Sequence, residues 1–246
     1  MHPPPSSPTP LAEKSTLEEI RTRFDHDVER FSKLETGQQA TVDAPLVLEL
    51  IAKVAGSHLQ TGSSLLDLGC GAGNMTLRIM QETGPLHCHL VDLSQAMLTR
   101  ALDRAAAADA ASVHPTQTDL RTLEFEASQF DAVVAGAVLH HLRDDADWEN
   151  VFRQIRRWLK PGGRLYVADL ITFDDPTIQK IMWDRYGDYL TGLGGPDYRD
   201  KVFAYIDKED TPRSLPYQLN LCREVGFRSW EVLHRNSVFA CYVAEG

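Results

Sequence analysis

The residues best placed to do chemistry lie where Leu65-Leu66-Asp67-Leu68 runs into Gly69-Cys70-Gly71-Ala72-Gly73 and a helix pattern resumes at Asn74-Met75-Thr76-Leu77. Alternating glycines after an apolar strand let the main chain turn sharply. They also let a ligand lie directly against N–H groups at a helix N-terminus. The spacing is G-x-G-x-G. A dinucleotide loop reads G-x-G-x-x-G, and its third glycine packs helix on strand beside a pyrophosphate; here Asn74 holds that place. The pattern favours a nucleoside ligand without a pyrophosphate. A second apolar strand ends at Asp92, at the spacing where a carboxylate meets ribose hydroxyls, two acceptor oxygens for two donors.

Four segments then follow in order, each at a predicted strand end. They are Asp67–Gly73, Val91-Asp92-Leu93-Ser94 with Met97-Leu98, Phe130-Asp131-Ala132-Val133-Val134, and Leu159-Lys160-Pro161-Gly162-Gly163. Across residues 43–172 they resemble the ordered motifs of class I S-adenosylmethionine-dependent methyltransferases. The resemblance implies an α/β, Rossmann-like, doubly wound seven-stranded sheet with an antiparallel C-terminal hairpin and helices on both faces. It implies S-adenosyl-L-methionine as cofactor and in-line transfer of its methyl group to a small-molecule acceptor. Gly69, Cys70, Gly71 and Gly73 would hold the methionine part and Asp92 the ribose, with Leu93 and Met97 packed on adenine. Asp119 and Leu120 would meet the adenine amino group, a turn aspartate being the alternative for Asp119. Asp67 either orients the cofactor amino group or serves loop hydrogen bonding. Gly136 and its small neighbours Ala135 and Ala137 would leave room for the acceptor.

The run Leu139-His140-His141-Leu142 follows the fourth strand. A histidine there could act as general base or orient an acceptor hydroxyl. Adjacent side chains cannot both face the same way, and the resemblance implies that His141 bonds nearby main chain, so His140 is the catalytic candidate. That both are structural stays open. His87-Cys88-His89 has the look of a metal cluster, but on a strand the cysteine faces away from both histidines and no further ligand is close in sequence. No metal site is expected.

A loose likeness to carboxy-S-adenosylmethionine synthases, which act in tRNA modification, rests on Phe24-Asp25-His26-Asp27-Val28, on Glu209–Leu215 and on Gly226-Phe227. Those enzymes carry an asparagine where Gly136 stands and a carboxylate-holding arginine near the place of Arg199. A non-catalytic cofactor-binding module is a further alternative. Base methylation is unsupported: no Asp-Pro-Pro-aromatic run follows the fourth strand, and there is no Pro-Cys pair.

Elements must position these residues. Strands are expected near 64–68, 86–92, 112–117, 130–136 and 164–170, separated by amphipathic helices. Near-continuous apolar strands between helices mean a parallel sheet covered on both faces. Ser15-Thr16-Leu17-Glu18 reads as a capping box for a helix to about Leu34, and another helix follows Asp43-Ala44-Pro45. Asp174–Leu190 reads as helix, Gly192–Pro196 as a flexible break, and a helix is expected from Thr211-Pro212 to Gly226. Phe227–Leu233 and Val238–Val243 form the terminal hairpin. Segments 15–40 and 173–210 are the expected lid; the alternative is that they pack permanently on the sheet helices, as homodimer contacts or plain core.

Residues 1–14 read as a disordered proline-rich tail, and residues 15–246 as a single domain of ordinary size. The tail has no apolar core of a signal peptide, and no apolar run can span a membrane, so a cytoplasmic protein with no membrane partner is expected. A net charge of −10 repels a phosphate backbone and argues against nucleic acid as partner. Four cysteines without C-x-x-C spacing read as buried thiols.

Overall fold

Apolar alternation along the strands sends Leu65 into one core and Leu66 and Leu68 into another, so each strand needs cover on both faces. The computed structural model, which describes residues 9–33 and 38–246, supplies it. Its strands are β1 (Ser64–Leu68), β2 (His87–Asp92), β3 (Ser112–Gln117), β4 (Phe130–Gly136), β5 (Leu159–Leu170), β6 (Ser229–Asn236) and β7 (Phe239–Glu245). They form one seven-stranded sheet in the order β3-β2-β1-β4-β5-β7-β6. The first five are parallel, and β7 runs antiparallel between β5 and β6. Strand order reverses at β1, where ligands bind in open α/β sheets.

Helices α3 (Ala44–Gly56), α4 (Asn74–Thr83) and α5 (Gln95–Ala107) bury Ile51, Ile79 and Leu98 against one face. Helices α6 (Asp145–Trp158) and α8 (Leu215–Glu224) bury Trp148, Phe152 and Leu221 against the other. Asp131 of the third motif accepts from Ser64 N–H at 2.8 Å and from Lys160 Nζ at 2.7 Å, so it ties β1, β4 and β5 together at the sheet end away from the cavity. Among the described residues no helix is long and apolar enough to cross a membrane. All four cysteines are free and buried.

Helix α7 (Pro176–Glu209) packs across the end of the sheet through a third cluster of Val42, Leu170, Tyr186, Leu190 and Val238. Helix persists through Gly192 and Gly194 and breaks only at Gly195, whose φ of 82° precedes Pro196. The expected five-residue break is thus one residue wide, because a proline can open the next helical turn without losing a bond. Helix α8 starts at Leu215, capped by Ser214, and not at Thr211. Thr211 N–H is already spent on His140 O at 2.7 Å.

The N-terminal helix is divided at Asp27 into α1 (Leu17–His26) and α2 (Val28–Phe31); Leu34 lies outside the described residues. Its capping box pairs Thr16 with Glu19, one residue later than the Ser15–Glu18 reading. The expected tail also ends earlier than residue 14. Thr9 N–H donates to Asp207 at 3.0 Å, and Lys14 Nζ donates to the carbonyls of Asp207 at 2.8 Å and Asp210 at 2.7 Å. Hydrogen bonds to the end of α7 order this segment where apolar burial would not. The expectation for residues 1–8 lies outside the described residues.

Candidate active site

A cavity of about 680 Å³ opens at the C-terminal ends of β1, β2, β4 and β5. Its floor is the glycine loop with Asp92 and Gly136, and its roof comes from α1, α2 and α7. Gly69 sits at φ +62°, where an added Cβ would lie 2.4 Å from Val138 Cγ2. Gly71 sits at φ +50° with nothing within 4 Å of its Cβ position, so its main chain is bare to the cavity. Gly73 then caps α4 in the left-handed conformation, and that helix begins with unsatisfied N–H groups. Cys70 lies in the same wall with its thiol pushed well above its usual range by burial.

Asp92 Oδ2 accepts from Gly71 N–H at 2.8 Å and Oδ1 from Ser94 N–H at 2.9 Å. The carboxylate therefore locks the loop, and each oxygen retains a lone pair for a ligand. Enclosure by protein raises its pKa to about 6, against the pull of those N–H groups. Asp67 is buried beneath the loop and accepts from Thr76 Oγ1 at 2.6 Å. That bond runs into α4, and Asp67 also lines the cavity, so the geometry is compatible with both of its readings. Burial lifts its pKa to about 7. Leu93, Met97, Thr118, Asp119 and Leu120 line the cavity beside Asp92. Asp119 is not a free acceptor: Arg121 Nε lies 2.9 Å from its Oδ2, and the same guanidinium also touches Oδ1 at 3.1 Å.

His140 and His141 follow β4 on a single tight turn, Leu139–His141, and both line the cavity. The expectation that only one could face inward assumed extended chain. On this turn the two rings come within 4.4 Å, centroid to centroid. His140 is buried; its N–H donates to Asp169 Oδ2 at 3.0 Å, and its Nδ1 bonds Asp169 Oδ1. Its Nε2 lies 3.8 Å from Asp210 Oδ1. Burial works against the charged ring, but the two carboxylates outweigh it and lift its pKa to about 9. His141 makes no main-chain bond of the kind expected. Its Nδ1 lies 3.2 Å from Asp210 Oδ1 without hydrogen-bond alignment, its ring stands edge-on to Phe24, and burial together with charged His140 lowers its pKa.

Sequence reasoning missed Asp169 and Asp210 as site residues. Asp169 had a visible signal, a carboxylate near the end of an apolar strand, Leu165-Tyr166-Val167-Ala168-Asp169. Asp210 had none, since only the return of α7 brings it to the histidines. Arg23 of α1 reaches the same end of α7, pairing with Glu209 at 2.7 Å and Tyr205 Oη at 2.7 Å. Arg199 does not line the cavity and pairs with Asp200 at 2.8 Å. The His87-Cys88-His89 run is divided as expected of a strand: His87 Nδ1 meets Ser112 Oγ at 2.9 Å, His89 stacks on His114, and Cys88 is buried opposite.

Comparison with known proteins agrees with this architecture. Residues 65–163 match the family model described as a methyltransferase domain. A demethylmenaquinone methyltransferase of Listeria monocytogenes is 27% identical over 174 residues, covering 69% of this chain and 72% of that one. A carboxy-S-adenosyl-L-methionine synthase of Campylobacter fetus is 26% identical over 204 residues, covering 80% and 83%. Among solved structures, phosphoethanolamine N-methyltransferase 2 of Haemonchus contortus, in complex with phosphomonomethylethanolamine and S-adenosylhomocysteine, superposes with a TM-score of 0.61 at 21% identity. That match covers 89% of this chain and 46% of the other. Motif order, sheet topology and these likenesses together mark residues 65–163 as a methyltransferase domain, and the chain as similar to the class I S-adenosyl-L-methionine-dependent methyltransferases and, loosely, to the carboxy-S-adenosylmethionine synthases.

Proposed function

We propose that the chain transfers a methyl group to a small, largely apolar acceptor that enters the cavity beside His140. The observation that carries this reading is that one cavity holds both the bare glycine loop with Asp92 and the His140–Asp169 pair. The loop and Asp92 suit the cofactor. Gly71 has empty space above its main chain, and Asp92 keeps lone pairs for ribose hydroxyls. When bound, S-adenosyl-L-methionine supplies an electrophilic methyl group on a positively charged sulfur. Everything else falls to positioning and exclusion of water. Gly136 and Ala137 keep the floor small, while Leu17, Ile20, Phe24 and Tyr205 roof the chamber with apolar and aromatic surface. Asp169 fixes the ring of His140 through Nδ1, leaving Nε2 on the Asp210 side of the chamber, where an acceptor's polar atom would enter.

The carboxy-S-adenosylmethionine synthase alternative gains nothing here, since Gly136 carries no amide and Arg199 lies off the cavity. The test is mass-spectrometric detection of S-adenosylhomocysteine and methylated product from a panel of apolar hydroxyl, amine and carboxylate compounds. His140→Ala should lower turnover while S-adenosylhomocysteine affinity holds. Cofactor binding without turnover of any acceptor would favour a non-catalytic module.

A further inference from the structure

One ligand atom from each of His140, His141 and Asp210 lies within 4.8 Å of the other two on the cavity wall, and Asp210 Oδ1 faces both His140 Nε2 and His141 Nδ1. We propose that these three atoms form a divalent-cation site that binds the acceptor through an oxyanion, an inference that rests on reading this cavity as the acceptor chamber. Ligands bound at about 2.1 Å to a tetrahedral centre stand about 3.4 Å apart. The observed separations are 3.2 Å from His141 Nδ1 to Asp210 Oδ1 and 3.8 Å from His140 Nε2 to the same oxygen. Small side-chain rotations therefore suffice.

The second observation is the burial and alignment of the same atoms. Asp210 is only 5% exposed, and its Oδ1 faces the buried Nδ1 of His141 at 3.2 Å without hydrogen-bond alignment, neither atom having an aligned partner elsewhere. Leaving buried polar atoms unpaired is costly, so such a pair aimed at one point needs an explanation. The nearby guanidinium of Arg23 cannot give it, being held by Glu209 and Tyr205.

Around the three atoms stands the support that a metal site requires. Asp169 bonds His140 Nδ1 and so presents Nε2 outward, the carboxylate–histidine–metal arrangement that orients a ligand ring. Thr211 N–H donates to His140 O at 2.7 Å, pinning the segment that carries Asp210 against the histidine turn. Two imidazoles and a carboxylate suit a first-row cation such as Zn²⁺ or Mn²⁺, and three protein ligands leave positions open. Those positions face the chamber roofed by Phe24 and Tyr205, so the ligand class is an apolar molecule bearing a carboxylate, phenolate or phosphate oxygen.

The experiment uses the full chain isolated without chelator: elemental analysis, then calorimetric titration with Zn²⁺ and with Mn²⁺, and separately with S-adenosylhomocysteine. Wild type should take up a single ion per chain. Asp210→Asn and His141→Ala should abolish uptake, and Asp169→Asn should weaken it by about 10–100-fold. Absence of saturable uptake, or full uptake by folded Asp210→Asn and His141→Ala, overturns the site. Should the variants not fold, Mn²⁺ must broaden the His140 and His141 ring signals of the wild-type protein in NMR spectra; unbroadened signals overturn it equally. If ions bind as stated but S-adenosylhomocysteine does not, the cofactor reading fails and the metal site stands.

Discussion

Two carboxylates beside the glycine loop hold opposite positions, and each leads to a measurement. Asp92 opens to the cavity and spends its oxygens on Gly71 and Ser94 N–H groups, so it both shapes the loop and remains available to a ligand. Asp92→Ala should weaken S-adenosylhomocysteine binding by on the order of 3 kcal/mol, the worth of two hydrogen bonds to a charged acceptor. Calorimetry on the folded variant measures it, and unchanged affinity would misplace the ribose site. Since the pKa of Asp92 is raised to about 6, wild-type affinity should hold above that pH and fall below it, as the acceptor gains a proton. Asp67 also borders the cavity but is almost fully buried against Thr76: it keeps its proton up to about 7, whereas the unfolded chain loses it near 3.8. Its stabilising contribution is therefore full below 3.8 and is lost as pH rises through about 7. The loss is on the order of 4 kcal/mol. Asp67→Asn keeps an acceptor for Thr76 without the ionisation, so denaturant melts should show the variant gaining on wild type across that window. Parallel curves would mean that Asp67 ionises freely in the folded protein.

At the scale of elements, β1, β2 and β4 were legible because buried parallel strands read as short apolar runs ending at Asp67-Leu68, Asp92 or Gly136, and the structure places them and the polar, more exposed β3 within a residue of expectation. Helix boundaries were less so, because long-range bonds set them: Thr211 is drawn to His140, and α8 must wait for Ser214. The histidine turn was misread for the same reason, since whether a short segment extends or coils after a strand depends on what receives it. The lid segments illustrate the competition directly. Helix α2 has only four residues, Asn74 Nδ2 donates to Phe31 O at 2.9 Å, and Ser94 Oγ donates to Asp25. Helix α1 is bound to the end of α7 through Arg23–Glu209, and Arg143 donates to Ser15 O at 2.7 Å and Glu209 O at 2.6 Å. Few apolar contacts and mostly polar latches mark a low-stability unit. Hydrogen exchange in α1 and α2 should slow when S-adenosylhomocysteine binds, while α6 and α8, packed on the sheet and away from the cavity, should not change. Equal protection of α1 and α2 with and without ligand would make them permanent cover. The N-terminal segment belongs to the same unit. Cutting through Lys14 removes the bonds to Asp207 and Asp210 and should lower the melting temperature, whereas cutting before Thr9 removes none of them.

For the whole molecule, fold and cofactor class were readable because both depend on local order: a strand, a turn without side chains, a helix, and an acid at the next strand end. The acceptor end was not, because it is assembled from His140 and His141 after β4, Asp169 in β5 and Asp210 after α7, which meet only once the sheet is wound and α7 returns. The same separation predicts which nucleotides stabilise the chain. In a dinucleotide loop the third glycine lets helix and strand close beside a pyrophosphate. Here Asn74 holds that place, and its amide is already engaged, donating to Phe31 O at 2.9 Å and accepting from Arg104 at 2.8 Å. To admit a pyrophosphate the protein would have to surrender both bonds and part α2 from α4. A nucleoside joined to an amino acid asks for neither. S-adenosylhomocysteine at a hundredfold excess over its dissociation constant should add about 2.7 kcal/mol to the folded state by mass action. NAD at the same concentration should leave the melting curve where it was. Equal stabilisation by NAD would show that the loop tolerates a pyrophosphate despite Asn74, and the argument from glycine spacing would fall with it.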